Sequence, residues 1–340
     1  MARFALDQLD TLRTIVDEGT FEAAARRLHV TQSAVSQRIK QLERAAGQVL
    51  LRRTTPVTTT DAGDVLLRHA RQVDLLTSDA LARLGGGRLD GDDGGDGASG
   101  DPVPTTLPIA VNADSTATWF LDALAVVPPT VPVVFDLRRA DQQHTAELLR
   151  SGDVLAAVTA TREPVQGCSS ESLGVMRYRA VASPGFVERW LGGGPDDPRT
   201  PARGPLDHGR PDDGKLDHGR IDRAGLDRAR LDRAPMVVFD RTDDLQHDFV
   251  RRLTGREPLA PRHHVPASAD FARAVVLGLG WGMLPEAQAG PELDAGRLVE
   301  LAVADPVDVP LFWQRWTLAS PLLDAVTDAV RATARNALHP

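Results

Sequence analysis

Gln32, Ser33, Ser36 and Gln37 crowd one side of a stretch whose other side carries Ala34, Val35, Ile39 and Leu42. These polar side chains hydrogen-bond without carrying a charge, which suits reading the edges of bases. Glutamine can contact adenine N6 and N7 in bidentate fashion, and serine fits close to base edges or phosphate. Lys40, farther along, is better placed for phosphate, and Arg38 joins the same basic set. The LLRRTTPVTTT run at 50–60 reads as a small wing, with Arg52 and Arg53 against a nucleic-acid backbone and Thr54 or Val57 near the minor groove. The combined chemistry is readout of duplex DNA with phosphate anchoring. The alternative is a helical pair that binds protein or merely packs, its arginines acting as solvated surface.

Two helices must hold that surface. Phe21, Ala24, Ala25 and Leu28 share one face of a first short helix, and His29 and Val30 make a tight connection. Thr31 can cap the second helix through its hydroxyl and, at the start of the reading helix, is also a candidate DNA contact. Small residues near the crossing and larger ones at the ends are what a helix-turn-helix needs. A long helix then runs over 61–84, with Asp61 and Asp64 at its positive end. Leu66, Ala70, Val73, Leu76 and Leu84 form an apolar stripe, widened by Leu67 and Leu81. We expect this stripe to pair with an antiparallel copy from a second subunit, giving two reading helices for a pseudopalindromic site. Packing onto the chain's own C-terminal body is the competing arrangement.

The body reads as α/β material. Strand candidates fall at 106–111, 131–137, 154–159, 178–183 and 236–239, with an edge strand at 309–316. Helices are expected at 115–125, 144–151, 245–253, 271–277 and 320–338. Two tracts interrupt this pattern. GGGRLDGDDGGDGASGD at 85–101 reads as a flexible acidic linker. Residues 192–230 form a low-complexity insertion in which Leu206, Leu216, Ile221, Leu226 and Leu231 recur five or ten residues apart, a spacing that matches neither helix nor strand.

The chain has 340 residues, enough for two or three domains, with 42% hydrophobic and 25% charged residues. Its formal charge of -8 conceals a split, because residues 20–60 carry seven Arg/Lys against Glu22 and Glu43, a local +5. A basic module on an acidic body points to one region facing a polyanion. Cys168 is the only cysteine, which excludes an intrachain disulfide and fits a reducing compartment. No apolar run approaches a membrane span, so a cytoplasmic, soluble protein is expected.

Residues 4–84 resemble the N-terminal region of LysR-type transcriptional regulators. The resemblance rests on AAARRLHVTQSAVSQRIKQLE at 23–43 and LLRRTTPVTTTDAGDVLLRHARQV at 50–73. Later segments are more narrowly similar to the ArgP/LysG branch, which governs export of basic amino acids. They include VNADSTATWFLDAL at 111–124, CSSESLGVMRYRAVASPGF at 168–186, PMVVFDRTDDLQHDF at 235–249 and HHVPASADFARAVVLGLGWGMLP at 263–285. The resemblance implies a winged helix-turn-helix over 1–60, a dimerisation linker helix over 61–84 and a flexible linker over 85–104. A two-lobed effector domain like a periplasmic binding protein would span 105–318, followed by a C-terminal helix over 319–340. Lobe one would use about 105–181 plus 275–318, and lobe two about 182–274. It also implies a homodimer or homotetramer that bends promoter DNA, recruits RNA polymerase and acts as an activator responding to an effector.

On this assumed fold, Asn112, Asp114, Ser115, Thr116 and Thr118 sit where a strand gives way to a helix whose free N–H groups can hold a carboxylate. A basic amino acid, lysine or arginine, also needs acceptors for its cations. Asp114, Asp240, Asp243, Asp244 and Asp270 are the candidates, with Thr159, Ser183 and Ser268 as polar partners. Each has a plainer reading: Asp114 or Ser115 can cap a helix, Asp243 and Asp244 can be solvated first-turn acids, and the tryptophans can be core. Cys168 has no convincing local base, and HExxH, GxSxG and Walker A patterns are absent, so no catalysis is expected. GLGWG at 278–282 is not a nucleotide fingerprint, and the adjacent His263 and His264 lack a spaced ligand set, so neither cofactor nor metal is expected. The competing class is an architectural DNA-binding protein without an effector, including an inhibitor of chromosome initiation.

Overall fold

The computed structural model describes residues 4–83, 104–139, 142–191, 220–221, 231, 233–301 and 306–340. The linker at 85–101, most of the 192–230 tract and Leu84 therefore lie outside the described residues. The chain divides into two compact units. The first comprises Met1–Asn112, Ala123–Ser172 and Phe312–Ala332; the second comprises Ala113–Asp122, Leu173–Leu311 and Thr333–Pro340.

The first unit opens with three helices, α1 (Leu6–Glu18), α2 (Phe21–Arg27) and α3 (Gln32–Ala46). Thr20 caps α2 by accepting from Ala23 N, and Thr31 caps α3 by accepting from Ala34 N. His29 adopts the left-handed conformation, φ 54°, in the connection. Leu12, Ile15, Ala24, Val35, Ile39, Leu42 and Leu50 form one buried cluster beneath the helix crossing. Strands β1 (Leu51–Arg52) and β2 (Thr58–Thr59) pair antiparallel as the wing.

Helix α4 (Asp61–Arg83) follows, roughly 35 Å long at 1.5 Å per residue. It starts hard against the wing: a Cβ on Gly63 would lie 2.0 Å from the Leu50 carbonyl oxygen. Its apolar stripe is largely used inside this chain, which corrects the expected dimer seam. Leu66 and Ala70 belong to the N-terminal core, with Val73 packed against it, and only Leu76 of the described positions is exposed. The first turns of α4 thus roof the three-helix core. Farther along, Arg71 is held between Asp17 of α1 at 2.9 Å and Asp153 at 2.5 Å.

The rest of the first unit is a sheet with flanking helices. Strand β3 (Thr105–Val111) lies parallel to β4 (Val133–Arg139), from Thr105 opposite Val133 to Val111 opposite Arg139. On its other side β3 is parallel to β5 (Ala156–Thr159). The helix expected at 115–125 is present and starts at Ala113, running without a break through α5 (Ala113–Ser115), a π segment at Thr116–Phe120 and α6 (Leu121–Ala125). Helix α7 (Gln142–Ser151) precedes β5 and packs against α4.

Strand β6 (Cys168–Ala182) is far longer than the short strand expected at 178–183, because its first residues are polar on both faces and carry no alternation. It passes from the first unit to the second at Leu173. The second unit continues through α8 (Pro184–Trp190), β7 (Arg220–Ile221), β8 (Met236–Val238), α9 (Leu245–Thr254), β9 (Arg262–His264) and α10 (Ser268–Val276). Strand β10 (Gly282–Pro285), helix α11 (Glu286–Asp294) and strand β11 (Val299–Leu301) complete it. Both β10 and β11 run antiparallel to β6, with Pro285 opposite Tyr178 and Val299 opposite Ala182. That pairing draws 275–311 into the second unit, where lobe one was expected. Val181, Val237, Phe271, Val275 and Leu284 form its core.

Strand β12 (Val307–Trp316) returns the chain to the first unit and pairs antiparallel with β5, Phe312 opposite Thr159. It is bonded on both sides, an interior strand where an edge was expected. Helix α12 (Pro321–Ala337) closes the fold with Leu323, Val326 and Val330 buried. No helix among the described residues is long and apolar enough to cross a membrane.

Candidate nucleic-acid interface and effector site

The N-terminal surface follows from α3. Val35, Ile39 and Leu42 turn inward, which leaves Gln32, Ser33, Gln37 and Lys40 exposed and Ser36 half-buried. Thr31 is exposed but its hydroxyl already caps α3 and hydrogen-bonds with the Ser33 hydroxyl at 2.9 Å. Arg52 and Arg53 project from the wing, and the Arg53 guanidinium lies 5.5 Å from the Phe21 ring centroid, which restrains it while leaving it exposed.

Three expected DNA contacts are otherwise engaged. Val57 is 8% exposed and packs in the N-terminal core, so it does not reach a groove. Arg38 turns back to α1, with Nε 3.3 Å from Asp7 and Nη1 donating to the Thr11 hydroxyl at 3.4 Å. The Thr54 hydroxyl donates to the Pro56 carbonyl at 2.6 Å, fixing the wing tip.

In the second unit, residues far apart in sequence converge on Asp114. Tyr178 on β6 donates its phenol to Asp114 Oδ2 at 2.7 Å, and Ser268 at the start of α10 donates to Oδ1 at 2.6 Å. Gln288 on α11 donates to the Ser268 hydroxyl at 3.0 Å. Asp243 is held beside this group by the backbone N–H groups of Phe239 at 2.8 Å and Leu245 at 3.1 Å. Burial raises the Asp243 carboxyl above its ordinary value, with the Asp114 and Asp240 charges adding to it and the two backbone hydrogen bonds opposing. The Tyr178 phenol is raised well above its ordinary value, by burial first and then by the charge of Asp114. The result is an acidic, hydroxyl-bearing cluster that a cation would relieve electrostatically.

The other expected effector residues divide. Ser115 is fully buried and its hydroxyl finds no partner among the described residues, as does the Trp119 indole N–H. Asn112 and Thr159 lie in the first unit, and Thr159 accepts from Thr161 N at 3.1 Å. Thr116 stays half-buried in the π turn, while the Thr118 hydroxyl returns to the Asp114 carbonyl at 2.6 Å. Ser183 caps α8 by accepting from Phe186 N. Asp240 closes a turn on Thr242, and Asp244 and Asp270 are exposed. The expected helix N-terminus lies at Ala113, from which the helical run continues through the π segment to Ala125. Tyr178 and Gln288 escaped the sequence reading; the one available signal was that Tyr178 is the only tyrosine in the chain. A cavity of about 840 Å³ in the first unit lies elsewhere, between α4 and α7, lined by Arg68, Glu147 and Asp153 among others. Burial pushes the Cys168 thiol up to about 12, which leaves it a poor nucleophile.

The family model for bacterial regulatory helix-turn-helix proteins of the lysR family matches residues 6–64, and that for the LysR substrate binding domain matches 216–335. The HTH-type transcriptional regulator LysG of Mycobacterium tuberculosis is 42% identical over 327 residues, covering 96% of this chain and 92% of the relative. The chain belongs to the LysR family. This LysR-family protein falls in the branch of LysG and ArgP. The lysine export transcriptional regulatory protein LysG of Corynebacterium efficiens is 42% identical across 97% of this chain and 98% of its own. Among solved structures, ArgP from Mycobacterium tuberculosis superposes with a TM-score of 0.77 at 40% identity, covering 98% of each chain. Full-length LysG from Corynebacterium glutamicum with bound effector Arg gives 0.71 at 38% identity, covering 99% of this chain and 100% of that one. The relatives are transcription regulators, so the LysR-family surface on α3 belongs to a DNA-binding regulator.

Proposed function

We propose that this regulator senses a cationic amino acid, arginine or lysine, and controls a gene for its export. The observation that carries the reading is the Asp114–Tyr178–Ser268 cluster with Asp243 beside it. Two carboxylates and no cation converge among the groups described there, and burial already disfavours the charge on Asp243. An ammonium or guanidinium supplies the missing positive charge. The export relatives and the arginine-bound LysG of Corynebacterium glutamicum support the same choice. Titration calorimetry of the whole protein against arginine, lysine and neutral amino acids tests it. Binding confined to the cationic ligands is expected, and equal heats with neutral controls would sink it.

The DNA contacts in this reading are Gln32, Ser33, Ser36, Gln37 and Lys40 from α3, with Arg52 and Arg53 on the wing. Dimerisation remains part of it, but through the side of α4 still uncovered within the chain, where Val65 and Leu76 are exposed. A homodimer or homotetramer, RNA polymerase as partner and a cytoplasmic location complete the picture. Footprinting on promoter and scrambled duplexes, with and without arginine, separates it from an architectural DNA-binding role, for which salt-sensitive binding of similar strength everywhere is expected.

A further inference from the structure

His339 lies two residues beyond α12 and is tied into the second unit twice. Its backbone forms an antiparallel bridge with Val175 on β6: Val175 N donates to His339 O at 2.8 Å and His339 N to Val175 O at 3.0 Å. Its imidazole Nε2 lies 2.6 Å from Glu286 Oε2. β6 is shaped for this visitor. Gly174 has φ +126°, and a Cβ there would fall 2.6 Å from the His339 carbonyl oxygen.

Glu286 is the first residue of α11, and its other carboxylate oxygen takes the Arg179 guanidinium through Nε at 3.0 Å and through Nη2. Arg179 Nη1 also grips both oxygens of the buried Glu300, at 2.9 and 3.0 Å. Burial tends to raise the Glu286 carboxyl, but hydrogen bonds from Arg179 and His339 hold it below its ordinary value. This chain of charges sits back to back with the acidic cluster. Arg179 is the neighbour of Tyr178 on β6, so the two side chains take opposite faces of the strand. Glu286 stands two residues before Gln288 on α11, and Gln288 holds Ser268, which holds Asp114.

We infer that His339 is a positioning residue for the effector site: through Glu286 it fixes the start of α11 against β6, and so sets where Gln288, Ser268 and Tyr178 hold Asp114. This rests on the effector reading above. The strand that carries Tyr178 and the helix that carries Gln288 are the two elements His339 joins, and site groups lose affinity when the side chains that hold them loosen.

The chain's single tyrosine gives a direct test. Full-length protein labelled with 3-fluorotyrosine has one fluorine resonance, reporting on Tyr178. His339→Ala is expected to shift that resonance in the ligand-free protein and to weaken arginine binding roughly tenfold, with affinity for duplex DNA in the absence of arginine unchanged. His339→Gln, which can still donate to Glu286, is expected to restore both. An unmoved resonance together with parental arginine affinity in His339→Ala would overturn the inference. Should that variant fail to fold, His339→Asn, too short to reach Glu286, makes the same comparison. If the parent itself binds neither arginine nor lysine, the effector reading fails, while the ligand-free fluorine comparison still decides the role of His339.

Discussion

Single side chains separate readout from support. Gln37 is exposed on α3 and Arg53 is exposed on the wing against Phe21. Gln37→Ala is therefore expected to erode discrimination between operator and scrambled duplex, whereas Arg53→Ala weakens binding to both alike; competition binding assays at fixed salt measure the difference. Val57 behaves differently because it is a core residue. Val57→Ala is expected to cost about 1–2 kcal/mol in denaturant unfolding, and any loss of DNA affinity should follow from that lost stability. At the acidic cluster the sign of the pH effect is fixed by Asp243. Its carboxyl is raised in the folded protein, so acid protonates it before an ordinary carboxyl. A cationic ligand competes with that proton, and arginine affinity should fall as pH drops from neutrality through the raised value. Asp243→Asn should flatten this dependence in calorimetry and lower affinity at neutral pH.

At the level of elements, legibility in the sequence tracked how local the determinant is. The helix-turn-helix was readable because Thr31, the small residues Ala24 and Ala25, and the stripe of Val35, Ile39 and Leu42 all act within a few turns. The surface left over on α3 then declared itself by residue type. The stripe on α4 is legible but its partner is not: nothing local says that Leu66 and Ala70 join the N-terminal core of the same chain rather than pack on a copy. The effector cluster was legible only in part. Asp114 and Ser268 lie 154 positions apart, and Tyr178 another 64 from Asp114, so only the folded sheet brings them together. The π segment after Ser115 is hidden as well, since a single widened turn inside a helix leaves no mark in hydrophobic spacing.

At the scale of the whole molecule, the first unit joins the DNA-reading helices to the β3–β4–β5 sheet through one side of α4. Gly152, with φ +74°, lets the turn after α7 approach until a Cβ there would lie 2.9 Å from the Arg68 Cα. Gly152→Ala is expected to destabilise the protein by roughly 1–3 kcal/mol, read as a lowered Tm. Asp153 on the same turn is also held by Ser151 at 2.5 Å. Burial acts to raise its carboxyl, but Arg71, Ser151 and Arg138 outweigh this and hold it below its ordinary value. A lowered folded value means its stabilisation is complete above the ordinary carboxylate range and disappears as acid titrates through the lowered one. Asp153→Asn should remove that slope from stability measured between neutral and acidic pH. Arg71 keys α4 to both Asp17 and Asp153, so pulling the 151–153 turn or α1 away from α4 costs an ion pair at a guanidinium that is itself buried.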